Sequence, residues 1–400
     1  MIKKIATQSL KVGMYIHDLD AAWMSHPFFS SRFAVDKQAT IDDVIGAGIK
    51  HVYIDTDRGL DFEMAVPLEV VQQETSASKQ QVADEQLGLD KQVSFESELV
   101  QAKTVVYEAN KAMRAFMRDA RFSQHIESTA VDEVVGNISA SVFRNKDALL
   151  TLARIKTVDQ YTFMHSIGVC VLMTAFARAM DFDDETTRQI STGALMHDLG
   201  KMRVSPGLLN KPGPLTPDEF AEMKRHVDYG TEQLTSFGWL SDVSMEVVVQ
   251  HHERIDGSGY PLGLKADAIS EVGRMSAIAD VYDALTSNRC YKQAWEPTHT
   301  LGKMLEWSKD HFGEEVAHQF VRCVGIYPVG TLVRLSSGMI AVVVEQDEAH
   351  LLRPRVRVVF NERSGRYPVL EDVDLSATGS VAIVESVSPQ KVGIDPLAFF

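Results

Sequence analysis

The sequence predicts a mainly α protein: a helical bundle flanked by a small β-rich domain at the N-terminus and a short β-meander at the C-terminus. Three observations carry this. From Phe95 to about residue 325, apolar residues recur at helical spacing and no convincing strand interrupts them. Ahead of that stretch, Leu10–Ile16 and Val52–Ile54 are short apolar runs of strand length. Behind it the period changes, and Gly330–Leu335, Ile340–Val344 and Val356–Phe360 read as strands, with Ser337-Gly338 supplying the first turn.

Taken in order, residues 1–65 form the β-rich domain, a candidate sensory module. Thr40 offers a helix N-cap with Asp43 three residues on, and Gly46 and Gly48 break that helix before the Val52–Ile54 strand. Trp23, Phe28, Phe29 and Phe33 read as core of a small domain, with a sensor pocket as the alternative; His17, His26 and His51 are scattered and read as surface or packing residues. Residues 66–94 form a linker, because Gln72–Gln92 is rich in Gln, Ser, Asp, Glu and Lys and poor in large apolar residues. The helical domain spans 95–325 and the β extension 326–400. In its first helix, Phe95, Leu99, Ala102, Val106, Ala109, Met113 and Phe116 alternate spacings of four and three. Two readings stay open: the stripe packs on its own chain's bundle, or it forms a two-fold seam that makes a homodimer.

Composition narrows the classes. Apolar content of 45% and charged content of 24% suit a soluble globular chain, and no run of eighteen apolar residues exists to span a membrane. The first eight residues lack a signal-peptide pattern, and Cys170, Cys290 and Cys323 form no CxxC, so the expected setting is cytoplasmic and reducing. A net charge of −15 argues against DNA or RNA as partner. It leaves room for a small phosphodiester, because bound divalent cations can invert the local potential.

The chemistry gathers in the helical region. His197-Asp198, followed by Gly200-Lys201, sets an imidazole beside a carboxylate whose two oxygens can bridge two cations. His165, His226, His251, His252 and Asp280 add further ligands. Each has a bland alternative: a lone helical histidine is usually a satisfied polar residue, and His251-His252 could simply favour a helix C-terminus. Asp280 is harder to dismiss, since Ile278–Leu285 is apolar and an unpartnered carboxylate there is costly to bury. Seven N/O ligands without a thiolate suit two hard or borderline cations. Such a pair activates a shared water and stabilises both the attacking and leaving oxygens of a phosphodiester. Asp256-Gly257-Ser258-Gly259-Tyr260-Pro261 is first a turn by composition, and its glycines also allow a ligand or partner to approach closely.

These blocks carry a resemblance. His197-Asp198 with Gly200-Lys201 resembles the signature of the HD superfamily of metal-dependent phosphohydrolases. His251-His252-Glu253-Arg254-Ile255-Asp256-Gly257-Ser258-Gly259-Tyr260-Pro261 is similar to the second signature of its HD-GYP subfamily, and Asp280–Lys292 to a third block. Leu10–Tyr15 and His51–Asp55 resemble a domain of uncharacterised function often found ahead of HD-GYP domains. The resemblance implies a phosphodiesterase that opens cyclic di-GMP to the linear dinucleotide, with further cleavage to GMP left open, or that prefers another cyclic dinucleotide such as cyclic GMP-AMP. Its alternative is a non-catalytic signalling module that binds the dinucleotide or a protein partner through the Gly-Tyr-Pro loop. By motif, His165, His197, Asp198 and Asp280 hold one metal, and Asp198 bridges to a second held by His226, His251 and His252. Asp198 and Lys201 are the catalytic residues, and Lys201, Arg289 and Lys292 contact substrate phosphate. Some members bind a third metal through a Glu four residues before the first His; here that residue is Tyr161, so the expectation is a dinuclear centre. The ligand set favours iron or manganese over zinc.

Overall fold

Strands at the N-terminus form where β-branched and aromatic residues alternate with polar ones, and the resulting sheet buries one apolar face. The computed structural model describes the chain except for residues 22–25, 27, 29, 84–91, 155–160, 212, 214, 288–293 and 348 and the side chains of residues 161 and 162. Two compact units result, one of residues 1–78 with 204–224 and one of residues 79–203 with 225–400.

In the first unit, β1 (Ile2–Ala6), β2 (Tyr15–Asp18), β3 (Phe33–Ala34), α1 (Gln38–Gly46), β4 (His51–Asp55) and β5 (Val66–Pro67) follow in turn. The strands form one antiparallel sheet in the order β3-β2-β4-β1-β5, with Ile5 opposite Val52. Its core joins Ile5, Leu10, Met14, Ile16, Val52 and Ile54 to Ile41 and Val44 of α1, with Phe28 and Phe33 packed against it. Trp23 and Phe29 lie outside the described residues. The expected Leu10–Ile16 strand is mostly a turn: Gly13 sits at φ +97° and pairing starts only at Tyr15. The added strand, β1, is hard to read because its Lys3 and Lys4 look solvated; Lys3 pairs with Asp61 at 2.7 Å and Lys4 with buried Asp20 at 2.6 Å. Thr40 is not the cap of α1, which begins two residues earlier behind Lys37 with no side-chain cap. α2 (Leu68–Ala83) follows.

The second unit is helical first. α3 (Phe95–Arg121) is capped by Ser94 and α4 (Ser128–Arg154) packs along it. Between them Glu98, 1% exposed, accepts two hydrogen bonds from Arg144 at 2.6 and 2.8 Å. The heptad stripe faces inward: Phe95, Leu99, Ala102, Ala109, Met113 and Phe116 are buried within their own chain. These six positions therefore pack in the core of their own chain, and Val106 is half-buried. α5 (Tyr161–Ala179) is apolar nearly all round and buried, as such a helix must be. α6 (Asp184–Met196) is capped by Asp183 and stops at His197. Residues 204–224, with α7 (Pro206–Leu209) and α8 (Pro217–Lys224), group with the first unit. α9 (His226–Phe237), α10 (Asp242–Gln250), α11 (Glu271–Thr286), α12 (Pro297–His311) and α13 (Glu314–Val324) complete the bundle. No described helix is long and apolar enough to cross a membrane. Cys170 and Cys323 are buried free thiols; Cys290 lies outside the described residues.

The chain then forms β6 (Leu332–Leu335), β7 (Met339–Glu345), β8 (Arg355–Asn361), β9 (Glu371–Asp374) and β10 (Ile383–Ser386), followed by α14 (Pro389–Val392). Strands β6 to β9 make an antiparallel meander, and β10 returns to pair with β6. Both faces are apolar, Val333, Ala341 and Val356 on one and Leu332, Ile340 and Val359 on the other. Thr151 and Arg154 of α4 donate to Val329 O, and Gln346 donates to Val324 O, so the sheet is tied to the helices. β9 and β10 escape sequence detection because Glu371–Asp374 and Ile383–Ser386 are short and polar at the sheet edges.

Candidate metal centre

The site is assembled in two ways. His165 and Asp280 sit inside buried helices, α5 and α11, where surrounding apolar packing fixes their rotamers. The remaining ligands sit at helix ends: His197-Asp198 directly after α6, His226 as the first residue of α9, and His251-His252 directly after α10. Helix ends leave backbone carbonyls available, and two histidines use them. His197 Nδ1 donates to Ala194 O at 2.7 Å and His251 Nδ1 to Val248 O at 2.6 Å. A carbonyl can only accept, so Nδ1 carries the proton in both rings and Nε2 presents its lone pair.

Close backbone approach brings the ends together. A Cβ on Gly200 would lie 1.9 Å from His226 O and 2.3 Å from Gly230 N, and a Cβ on Gly193 would lie 2.5 Å from Ser244 O. Gly200 is thus needed for contact between the His197-Asp198 turn and α9. Its φ is not in the left-handed region, so a special turn conformation is not the reason.

Asp198 is the centre of the arrangement. Its Oδ2 lies 3.5 Å from His165 Nε2 and 3.4 Å from His197 Nε2, while its Oδ1 lies 3.5 Å from His226 Nε2. Asp280 Oδ1 is 2.9 Å from His165 Nε2 and 3.8 Å from His197 Nε2, and its Oδ2 is 3.5 Å from His252 Nδ1. His226 Nε2 and His251 Nε2 are 3.4 Å apart. Three sets have ligand atoms within 4.8 Å of one another: His165, His197 and Asp280; His226, His251 and His252; and His197, Asp198 and His251. The seven ligands named from the sequence therefore converge on one place. Lys201 joins them, with Nζ donating to Asp198 Oδ2 at 2.5 Å. Arg289 and Lys292 lie outside the described residues.

The donor set fits cations. His197 Nε2, His252 Nε2, Asp198 Oδ1 and both Asp280 oxygens are buried without a hydrogen-bond partner of good geometry, an arrangement that is costly unless something binds them. Burial works against the Asp198 carboxylate, but Lys201, then His197 and His165, outweigh it and hold its pKa well below the usual range. Asp280 is also opposed by burial and is held low by His165 first, then His252 and His197. Burial, with help from His197, pushes His251 down to about 3, so its ring is neutral. Burial lowers His197 too, but Asp198 outweighs it and lifts the group above its ordinary 6.5. Protons therefore compete with a cation for His197 more than for His251.

Two residues of the site were missed in the sequence. Asp283 Oδ2 lies 2.6 Å from His165 Nδ1, which turns Nε2 toward Asp280 and Asp198. The only sequence signal is its position three residues after Asp280, on the same helical face. Glu253, 1% exposed, accepts from the amides of Leu262 at 2.7 Å, Gly263 at 3.1 Å and Leu264 at 2.9 Å. It closes the Gly-Tyr-Pro loop onto the end of α10. A Cβ on Gly259 would meet the Glu253 backbone at 2.5 Å, which accounts for that glycine. The Tyr260 ring lies 4.6 Å from the His252 ring and 6.4 Å from that of His226, so the loop forms a wall of the centre.

Comparison with known proteins follows this geometry. Residues 2–131 match a domain of unknown function, residues 142–316 an HD domain, and residues 332–394 a KOW domain associated with HD domain. The chain is 40% identical over 393 residues to a cyclic di-GMP phosphodiesterase of Pseudomonas aeruginosa, covering 97% of this chain and 92% of that protein. It is 45% identical over 154 residues to a cyclic di-GMP phosphodiesterase response regulator of Xanthomonas campestris, covering 38% of this chain and 41% of that one. It is 34% identical over 170 residues to a 3'3'-cGAMP-specific phosphodiesterase of Vibrio cholerae, covering 42% and 33%.

Proposed function

The chain belongs to the HD-domain family of cyclic di-GMP phosphodiesterases, and we propose that it hydrolyses a phosphodiester of cyclic di-GMP at a dinuclear centre bridged by Asp198. The observation that carries this is the division of the Asp198 carboxylate, one oxygen toward His165 and His197 and the other toward His226. We assign His165, His197, Asp198 and Asp280 to one cation, and Asp198, His226, His251 and His252 to the other. Imidazole and carboxylate donors support iron or manganese. When bound, two divalent cations supply Lewis acidity, which lowers the pKa of a shared water and draws charge from the scissile phosphate.

The chain's own groups do the rest. Asp198 and Asp280 stay ionised in a buried site because Lys201 and His165 stabilise their charges. The carbonyls of Ala194 and Val248 and the carboxylate of Asp283 hold three imidazoles with Nε2 facing inward. Lys201 places a cation beside Asp198, where it can hold a phosphate oxygen of the substrate. Tyr260 and the Glu253-anchored loop shield one side from water. Arg289 and Lys292 are assigned to the substrate phosphate by motif alone.

The test is product analysis. Iron- or manganese-loaded protein is incubated with cyclic di-GMP and with mixed cyclic dinucleotides, and products are separated by chromatography. Linear dinucleotide from cyclic di-GMP, lost in Asp198→Ala, is the expected result. Tight binding without turnover by metal-replete protein would instead favour a signalling module. Elemental analysis of anaerobically purified protein tests the metal assignment, and two zinc ions per chain with full activity would overturn it.

A further inference from the structure

The match to a domain of unknown function runs to residue 131 and so includes α3, a helix of the second unit. The inner face of α3 is core. Its outer face carries Lys103, Lys111, Arg114, Arg118 and Arg121, all exposed. At 100° per residue these five fall within roughly an 80° arc. From Lys111 onward the spacing is three, four and three, which sets like charges next to one another on the helix surface. Lys111 is offset by Glu108 at 3.6 Å and Arg118 by Asp119 at 3.1 Å, whereas Arg114 and Arg121 have no carboxylate partner of this kind among the described residues.

The C-terminal half of the stripe is fixed to residues that flank the metal centre. The Arg114 guanidinium lies 5.2 Å from the Phe163 ring centroid, two residues before His165. Asn110 holds it there: Asn110 Oδ1 accepts from Arg114 Nε at 2.9 Å, and Asn110 Nδ2 donates to Met164 Sδ at 3.1 Å. Two turns on, Arg121 Nη2 is 4.0 Å from Met202 Sδ, the residue after Lys201. One guanidinium thus stands over the start of α5 and the other over the Leu199–Arg203 turn. Lys103 lies near the other end of the helix and has no such contact among the described residues.

A cyclic dinucleotide carries two phosphodiesters, and cations held by the seven ligands would offset the charge of only the one being cleaved. We propose that Arg114 and Arg121 hold the other, so that the helix contributed by the domain of unknown function forms part of the substrate site. Guanidinium is suited to this, since it forks two hydrogen bonds onto a phosphate and stays charged. This inference rests on the reading of the centre as a cyclic-dinucleotide phosphodiesterase.

The experiment measures kcat and KM for cyclic di-GMP and for bis(p-nitrophenyl) phosphate, a diester with a single phosphate. Manganese-loaded wild type, Arg114→Ala, Arg121→Ala and Lys103→Ala are compared, with metal per chain measured in each. KM for cyclic di-GMP should rise about tenfold in each arginine variant, the usual loss for one charge-assisted hydrogen bond. The ratio of kcat/KM for the dinucleotide to that for the single-phosphate diester should fall by the same factor, at unchanged metal content. Lys103→Ala should stay within about twofold of wild type, the residual effect of a screened surface charge. An unchanged ratio in both arginine variants overturns the assignment, as does an equal rise in KM with Lys103→Ala, which would mean general attraction only. If wild type cleaves the single-phosphate diester but neither binds nor cleaves cyclic di-GMP, the substrate reading falls and this inference with it.

Discussion

The ligands held inside helices and those held at helix ends reach the same point by different means. His165 and Asp280 are positioned by the packing of α5 and α11, and only Asp283 is added to set the His165 ring. His197, His226 and His251 stand at helix ends: the rings of His197 and His251 depend on backbone carbonyls, and the place of His226 on the glycine that lets two segments touch. The difference teaches that His165 is oriented by a second side chain, while His197 and His251 are oriented by the backbone itself. Asp198 belongs to both, and that is the source of its weight in the site.

The sharpest way to break this comparison is Asp198→Ala. Removing the shared carboxylate should lower turnover by at least about 10³-fold, because several kcal/mol of charge stabilisation go with it. Steady-state kinetics on metal-loaded protein reads this directly, and a loss of tenfold or less would mean that the two sets work independently. Gly200→Ala attacks the terminal set alone. The new methyl would meet His226 O, so we expect about 3 kcal/mol of destabilisation, the upper end for overpacking, in chemical denaturation. An unchanged midpoint would show that the His197-Asp198 turn and α9 can part without cost.

Asp283→Asn tests the interior set. Metal affinity should fall roughly 10- to 100-fold, as for other partners that orient a ligand, with the fold retained. Equilibrium dialysis against manganese measures it, and wild-type affinity would mean that packing alone orients His165. The smallest effect is on pH. His197 is held above its ordinary 6.5, so protons compete with a cation for its Nε2. Protonation is favoured as pH falls, so metal affinity should drop as pH falls through and below neutrality, and rise again when pH is restored. Affinity that stays flat from pH 8 to pH 6 would contradict the role given to His197.

How much of this was legible depended on whether a residue's type betrayed its surroundings. His197-Asp198 and His251-His252 are unusual neighbours, and Asp280 is an acid in an apolar run, so five of the seven ligands stood out by type, while the lone His165 and His226 gained meaning only beside them. Asp283 and Glu253 did not, because an acid on a helix or in a turn ordinarily faces water; only the fold shows one against His165 and the other beneath the Gly-Tyr-Pro loop. The α3 heptads were legible as a stripe but not as to what they face, since a core seam and a dimer seam share one period. β1 was hidden by its lysines, whose acidic partners lie far along the chain. The cations on the other face of α3 looked like any solvated surface, and acquire meaning only from Phe163 and Met202.

The central claim is that one carboxylate joins two cation sites. Titrating manganese into metal-free protein, with calorimetry and elemental analysis to count ions, tests it most directly. Wild type should take up two ions per chain, and Asp198→Ala should fail to hold the pair. A wild-type stoichiometry of one, or two ions retained at wild-type affinity by Asp198→Ala, would contradict the account.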